Sequence, residues 1–561
     1  MSIKISALPT ATKPLSGKEL IVVNQGGNTK TASLSDFKAY VGGTEWTLLS
    51  ANWQNTYTGF SSTSANYASK NVTNTFTVGQ NILGPLSAVT ISLSGGLLIT
   101  GNNRRSLRIG NSTSLLSGGD NFCVGFDSGI NITTTGICNN FLGYNSGKFN
   151  TSGSHNNYMG YNSGLSGTSA TGNNFIGRNS GNGNTVGSFN NFLGAEAGIS
   201  NTTGSYNNFM GREAGAANSD HNNCIGYRSG YNSYSSHNNF IGCESGYGNF
   251  TGSDNNCMGH GSGYKIAFAS YNNFIGLSSG YNNNSGNGNN FIGVVSGYSN
   301  SSGSNNNFIG DSCGYSNTTG NYNNFIGGDA GYKNTTGSYN NFIGLSSGYS
   351  NTTGGYNTYI GDSSGVFNTT GSINTFIGSE SGTSNTVGSA NTFIGNRSGF
   401  SNTIGTSNIF MGNESGAFNT IGSDNTFLGN ITGKNNTTGG NNISIGSEAG
   451  YSNTTGGNNN LVGRGAGADN ITGSDNIIIG TNGNQNNISG SSNVMVGNFT
   501  SATTSVSACV VIGQQATVNG SNQFSLGSTQ CPLLTSNTGT ITGTFLKIKL
   551  NGQDLKIPLY T

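Results

Sequence analysis

Asn323-Asn324-Phe325-Ile326-Gly327, then Gly331-Tyr332, then Asn334-Thr335-Thr336-Gly337: this stretch, repeated almost without change, decides how the chain folds. From position 125 to position 497 the glycine of Phe-Ile-Gly recurs at 23 positions, and 19 of the 22 gaps are 17 residues, the others being 18, 15 and 16. So short and regular a period marks a stack of small coils rather than a globular core. Glycines at relative positions 0, 4 and 10 supply turn signals, and the segments between them are too short for helices. Each repeat therefore predicts one coil of a parallel β-solenoid, an all-β fold. At the interstrand spacing, roughly 25 coils make a rod on the order of 120 Å long. Like residues lie above like, so Asn amides and Thr hydroxyls are expected to form hydrogen-bonded ladders along it.

Composition agrees. Of 561 residues only 32% are hydrophobic and 94 are glycine, too little apolar mass for a conventional large core. Disorder is disfavoured because the net charge is +1 and Phe and Tyr together number 53, rings that need an ordered place. With 7% charged residues there is no basic field for nucleic acid or an anionic membrane. No run of about 18 apolar residues occurs and the first residues lack a secretory pattern, so membrane insertion and general export are not expected.

Phe and Ile are adjacent in most coils, as in Phe274-Ile275, Phe291-Ile292, Phe308-Ile309 and Phe342-Ile343. Neighbours on a strand face opposite ways, so only one can enter its own coil. The other forms an apolar stripe far larger than a soluble monomer normally shows. Burial against identical chains is the remedy, and three is the smallest number that encloses a central seam, so a parallel homotrimer is expected. The alternative is a wider single-chain solenoid that buries both side chains.

Towards the C-terminal end the pattern becomes Ala508-Cys509-Val510-Val511-Ile512-Gly513-Gln514-Gln515-Ala516-Thr517-Val518-Asn519-Gly520, followed by Asn522-Gln523-Phe524-Ser525-Leu526-Gly527. This stretch resembles the head repeats of trimeric autotransporter adhesins, and the resemblance implies left-handed β-rolls with three chains side by side. The longer upstream coils look like a glycine- and asparagine-rich variant of that unit, also found in phage fibre-like proteins. The first forty residues are similar to the attachment segment of bacteriophage tail-fibre proteins, in Ile5-Ser6-Ala7-Leu8-Pro9, Gly17-Lys18-Glu19-Leu20-Ile21-Val22-Val23, Gln25-Gly26-Gly27-Asn28-Thr29-Lys30 and Leu34-Ser35-Asp36-Phe37. Here Leu20 to Val23 reads as a strand, Asn24 to Asn28 as a turn and Thr29 to Ser33 as the return. Residues 545 to 560 read as a hairpin around Asn551-Gly552, an ending similar to those of phage virion proteins.

These pieces give four segments: 1–45 for virion attachment, 46–109 as a transition with Trp46 and Trp53, 110–527 as the 17-residue repeat rod, and 528–561 as a β-hairpin cap or tip. The resemblance implies a virion protein made in the host cytoplasm. Its N-terminus joins a baseplate, tail or capsid protein, and its trimeric rod serves host-surface adhesion, with a surface glycan or protein as partner. Alternatives are a capsid decoration or whisker fibre without a dedicated receptor, and a bacterial extracellular adhesive filament.

Chemical motifs are weak. The eight cysteines, at 123, 138, 224, 243, 257, 313, 509 and 531, contain no CxxC pair, and Cys123, Cys224 and Cys257 replace the repeat's Phe as small apolar fillers. His155, His221 and His237 all precede the repeat glycine by five residues, but no ligand set accompanies them, so no metal is expected. Glu196, Glu213, Glu244, Glu380, Glu414 and Glu448 share a corner with Arg178, Arg212, Arg228, Arg397 and Arg464, a solvated corner rather than a glycosidase groove. Tyr231, Tyr247, Tyr264, Tyr281, Tyr298, Tyr315, Tyr332 and Tyr349 occupy one position in eight successive coils, either stacking on sugars or covering the coil edge. The Thr pairs, as in Thr335-Thr336, suggest an ordered-water array, but Val387 and Ile404 interrupt it. No catalytic residue, cofactor or metal site is assigned, and no enzymatic activity is expected.

Overall fold

The computed structural model describes residues 120–528, apart from 216–217 and 503–504, together with five further strands: Leu20–Gln25, Asn28–Ser33, Leu107–Ile109, Ile541–Leu550 and Gln553–Tyr560. Trp46, Trp53, Cys531 and most of the attachment and transition segments lie outside the described residues. The chain divides into two units, Met1–Asn102 and Asn103–Thr561. In the first, Leu20–Gln25 pairs antiparallel with Asn28–Ser33, Leu20 opposite Ser33. In the second, Ile541–Leu550 and Gln553–Tyr560 form the C-terminal antiparallel hairpin, with a register shift between Ile541 and Phe545.

The rest of the described part of the second unit is an all-β parallel solenoid. Each coil contributes one three-residue strand, and every strand pairs in register with that of the next coil, as Asn324–Ile326 does with Asn341–Ile343. The ladder opens at Leu107–Ile109 against Phe122–Val124 and closes at Val510–Ile512 against Phe524–Leu526. It is open at both ends, since pairing runs only from each coil to its neighbours. Where the repeat shortens to 15 residues, Asn223–Ile225 still pairs in register with Asn208–Met210, so the missing residues come out of the arc away from the strand. Near the end a second short ladder joins Ser501–Ala502 to Thr517–Val518.

The rest of the coil is also bonded to its neighbours. Gly331, Lys333 and Thr335 donate their backbone N–H groups to Ser347, Tyr349 and Thr352 of the next coil at 2.9 Å. Asp329 and Tyr339 donate to Asp311 and Asn321 of the coil before, also at 2.9 Å. The corners differ from the glycine pattern. Gly327 (φ 134°) and Gly331 (φ 60°) have positive φ, but Gly337 does not; the other corners are Asp329 (φ 56°) and Tyr339 (φ 60°). Gly337 is required for another reason, because a Cβ there would strike the carbonyl oxygen of Gly354 and the amide of Asn334.

One stripe of aromatic rings fills the coil. Phe274, Phe291, Phe308, Phe325, Phe342 and Phe376 are fully buried, and their rings stack at 4.7–5.0 Å with Tyr359 in line. That spacing equals the strand separation, so the sheet itself sets the ring contact. Gly348 lies under this stripe; a Cβ would come within 2.5 Å of the Phe342 ring, and φ there is 60°. At Ser444 the stripe breaks, and the core continues with Leu461, Ile478, Met495 and Val511.

The remaining interior is polar and for the most part hydrogen-bonded, the exceptions including the hydroxyls of Tyr158 and Tyr359 and the amide of Asn484. Asn340 donates its amide N–H2 to Gly354 O at 2.8 Å, and its Oδ1 accepts the backbone N–H of Asn357 at 3.0 Å. A second buried ladder runs in every coil from Asn283 to Asn470. Asn351 shows its pattern, donating to Asn334 Oδ1 at 2.8 Å and Gly354 O at 3.0 Å while accepting from Asn368 at 2.8 Å. Ser347 Oγ adds a bond to Tyr359 O at 3.1 Å. Such closed networks remove the desolvation penalty that would exclude amides from a core.

Candidate functional site: the outward ladders

With the interior filled by stacked rings and amide ladders, the residues available to a partner are those that point outward. On the strand, Phe faces in and its neighbours face out. Phe325 is fully buried, whereas Asn324 and Ile326 are half-buried, and this in-out order recurs from coil to coil. The Phe-Ile pair is thus divided as the alternation requires, and the single-chain alternative that buries both is not what the coil adopts. Outward aliphatics form an axial stripe through Ile275, Ile292, Ile309, Ile326, Ile343, Ile360, Ile377 and Ile394, with Met258 and Met411 more exposed. Beside it the outward asparagines close their amides coil to coil, Asn290 to Asn307 and Asn307 to Asn324 each at 2.7 Å.

The eight tyrosines from Tyr231 to Tyr349 stack as one column, with centroids 4.8–5.5 Å apart and planes within 13°. Each inner ring has both faces covered by its neighbours, so a sugar cannot lie flat upon it. The column covers the coil edge, and Lys265 and Lys333 sit over the Tyr281 and Tyr349 rings at 5.9 and 5.1 Å. Burial pushes up the phenols of Tyr264, Tyr281 and Tyr332. In the pairs that begin at Thr318, Thr335, Thr352, Thr369, Thr437 and Thr454, the first threonine donates Oγ1 to the next coil's backbone, as Thr335 does to Thr352 O at 3.0 Å. These hydroxyl protons are therefore committed inside the stack rather than offered to a water lattice.

At the charged corner carboxylates meet cations of the same coil or of adjoining ones. Arg178 bonds Glu196 at 2.6 Å; Arg228 and Arg212 hold Glu213 at 2.6 and 2.9 Å; Arg397 bridges Glu380 and Glu414 at 3.3 and 3.6 Å; and Lys434 meets Glu414 at 2.5 Å. The Arg228 hydrogen bond holds the Glu213 carboxyl below its ordinary range, against an opposing effect of burial, and Lys434 does the same for Glu414. Glu213 therefore contributes stability above the unfolded carboxylate value of about 4.3 and loses it as pH falls through the lowered folded value. Glu213→Gln is expected to cost about 1 kcal/mol or less at pH 7. In urea titrations, the gap from wild type should close in acid.

His221 and His237 stack at 5.0 Å, with Tyr206 on the other side of His221, while His155 lies further along the same corner. Among the described residues no group of three His, Cys, Asp or Glu side chains could hold a metal ion. Cys123, Cys224 and Cys257 are buried in the aromatic stripe, Cys224 beside Phe240 and Cys257 beside Phe274, and burial pushes the Cys224 and Cys257 thiols up. Cys313, whose role the repeat alone does not reveal, takes the inward serine position and bonds Phe325 O through Sγ at 3.2 Å. No helix among the described residues is long and apolar enough to cross a membrane.

A scan of protein-family models finds none that matches the chain, and a search of curated proteins likewise finds no match.

Proposed function

We propose that the chain is a non-enzymatic structural fibre that packs side by side with identical copies, most economically three, through the outer face of its strands. The observation that carries this is the aliphatic stripe, one half-exposed side chain per coil along the ladder, matched by a fully buried Phe on the opposite face. Burying that stripe removes apolar surface from water in every coil at once, at roughly 25 cal/mol per Å². A cyclic arrangement lets each copy present the same surface.

The attachment-like N-terminal segment and the virion-like hairpin support a place on a bacteriophage particle, with the solenoid projecting towards the host surface. Adhesion then comes from many weak contacts that add through multivalency, to a cell-surface glycan or protein. The test is deletion of the coding sequence followed by particle analysis. The expected result is particles that assemble without the chain and adsorb poorly. Unchanged adsorption would assign the fibre to decoration, and particles of the parent that never contain the chain would remove the virion role.

A further inference from the structure

The outer strand face changes chemistry along the stack. From Asn140 to Asn341 its first position is asparagine in every coil, the amides bonded in series at 2.7–3.0 Å. Each such amide uses one N–H and one acceptor site within the series and leaves the others for solvent. Covering that region with an apolar surface would strand them, at about 1–3 kcal/mol for each group left unpaired. Threonine then takes the position at 358, 375, 392 and 426, with one apolar coil among them, where Ile409 and Met411 are each 41% exposed.

From Ile443 onward the polarity disappears. The outward pairs are Ile443 and Ile445, Ile477 and Ile479, Val494 and Val496, Val510 and Ile512, and Phe524 and Leu526; Asn460 is the one polar member of these six coils. The five outward isoleucines, Ile443, Ile445, Ile477, Ile479 and Ile512, are 39–43% exposed, and Phe524 is 51% exposed. The residue between each pair faces inward, so Ile477-Ile478-Ile479, Val494-Met495-Val496 and Val510-Val511-Ile512 are apolar on both sides of the sheet. Uninterrupted apolar strands of this kind belong to parallel sheets covered on both faces. Here only the inner face is covered by the coil.

We infer that the strand face of residues 443–526 is the anchoring contact between copies of this chain, the upstream face joining after these coils have set the register. The inference rests on the self-assembly reading above and adds where the contact begins. Area supports a two-part contact. Six coils offer about 300 Å² (roughly 4.8 Å per coil by about 10 Å of strand), whereas the full ladder offers about 1,200 Å². A stable interface needs about 800 Å² per partner, so the terminal coils can supply the concentrated apolar centre but not the whole contact.

The test uses the full-length chain and two fourfold variants. In one, Ile443, Ile477, Val494 and Val510 are each changed to Thr, a residue the same strand position already holds at 358, 375, 392 and 426. In the other, Ile309, Ile326, Ile343 and Ile360 are changed to Thr. Circular dichroism checks that both keep the β-fold, and sedimentation velocity over a dilution series gives the dissociation constants. The terminal variant should dissociate at a concentration about 100-fold higher than wild type, and the upstream variant less than about 10-fold higher. An assembled wild type with a terminal variant that holds together as tightly, or an upstream variant that weakens as much, would overturn the anchoring role and leave self-assembly standing. A wild type that sediments as one chain at every concentration would instead remove the self-assembly reading.

Discussion

Replacing Phe325 by alanine should destabilise the surrounding coils by about 3–5 kcal/mol, among the largest effects available to one truncation in this fold. The ring is fully buried and stacks on Phe308 and Phe342 at 4.8 Å on each side, so truncation removes two ring contacts as well as buried area. The cavity cannot close by collapse, because the spacing of coils is fixed by backbone hydrogen bonds around the whole circumference. In a stack whose repeats touch only their neighbours the damage stays local. Hydrogen exchange should accelerate at the amides of Asn324 and Gly344, which bond across the affected coils, and remain slow at those of Thr426 and Gly429. Ile326→Ala, one residue along, should cost far less under conditions where copies are apart. Equal losses for the two would contradict the division of the strand into inner and outer faces.

The second large effect comes from an isosteric change. Asn351→Asp keeps the shape of the buried ladder but replaces the amide N–H2 that serves Asn334 Oδ1 and Gly354 O with a second oxygen. An ionised carboxylate there would be buried among acceptors, so the acid's folded pKa lies above its unfolded value of about 3.9. For a group raised in this way, stability is greatest below the unfolded value, where both states hold the proton. It falls as pH rises, by about 1.4 kcal/mol per unit until the folded group ionises. Between pH 4 and pH 7 the variant should thus lose up to about 4 kcal/mol relative to wild type, read as a shift in the urea midpoint. A difference that does not change with pH would mean that the ladder is open to water.

Much of this fold is legible because a parallel stack demands equal coils. A 17-residue period leaves room for one three-residue strand and its return, and the Phe-Ile pair announces which strand position faces in. Even the shortened repeat ending at Gly226 obeys this logic, since its strand keeps register. The corners are less legible. Glycine marks two of them, but Asp329 and Tyr339 take positive φ without any change of residue class that would reveal it, and Ile373 does so at φ 61° despite its branched Cβ. Hydrogen bonding to the adjoining coil holds these residues in place, a tertiary cause with no local sign. Gly337 shows the converse, a glycine that recurs in the repeat and whose reason is the closeness of the next coil. The tyrosine column could be placed from the repeat, yet only the ring geometry shows that its faces are occupied. The outward stripe is visible in sequence as a pattern, while the number of chains in the assembly is a property that the fold of one chain does not carry.

Sedimentation equilibrium of the intact chain measures that property directly. The expected result is a particle of three times the chain mass that dissociates on dilution or on substitution of the outward aliphatic residues. A folded species of single-chain mass at every concentration would contradict it.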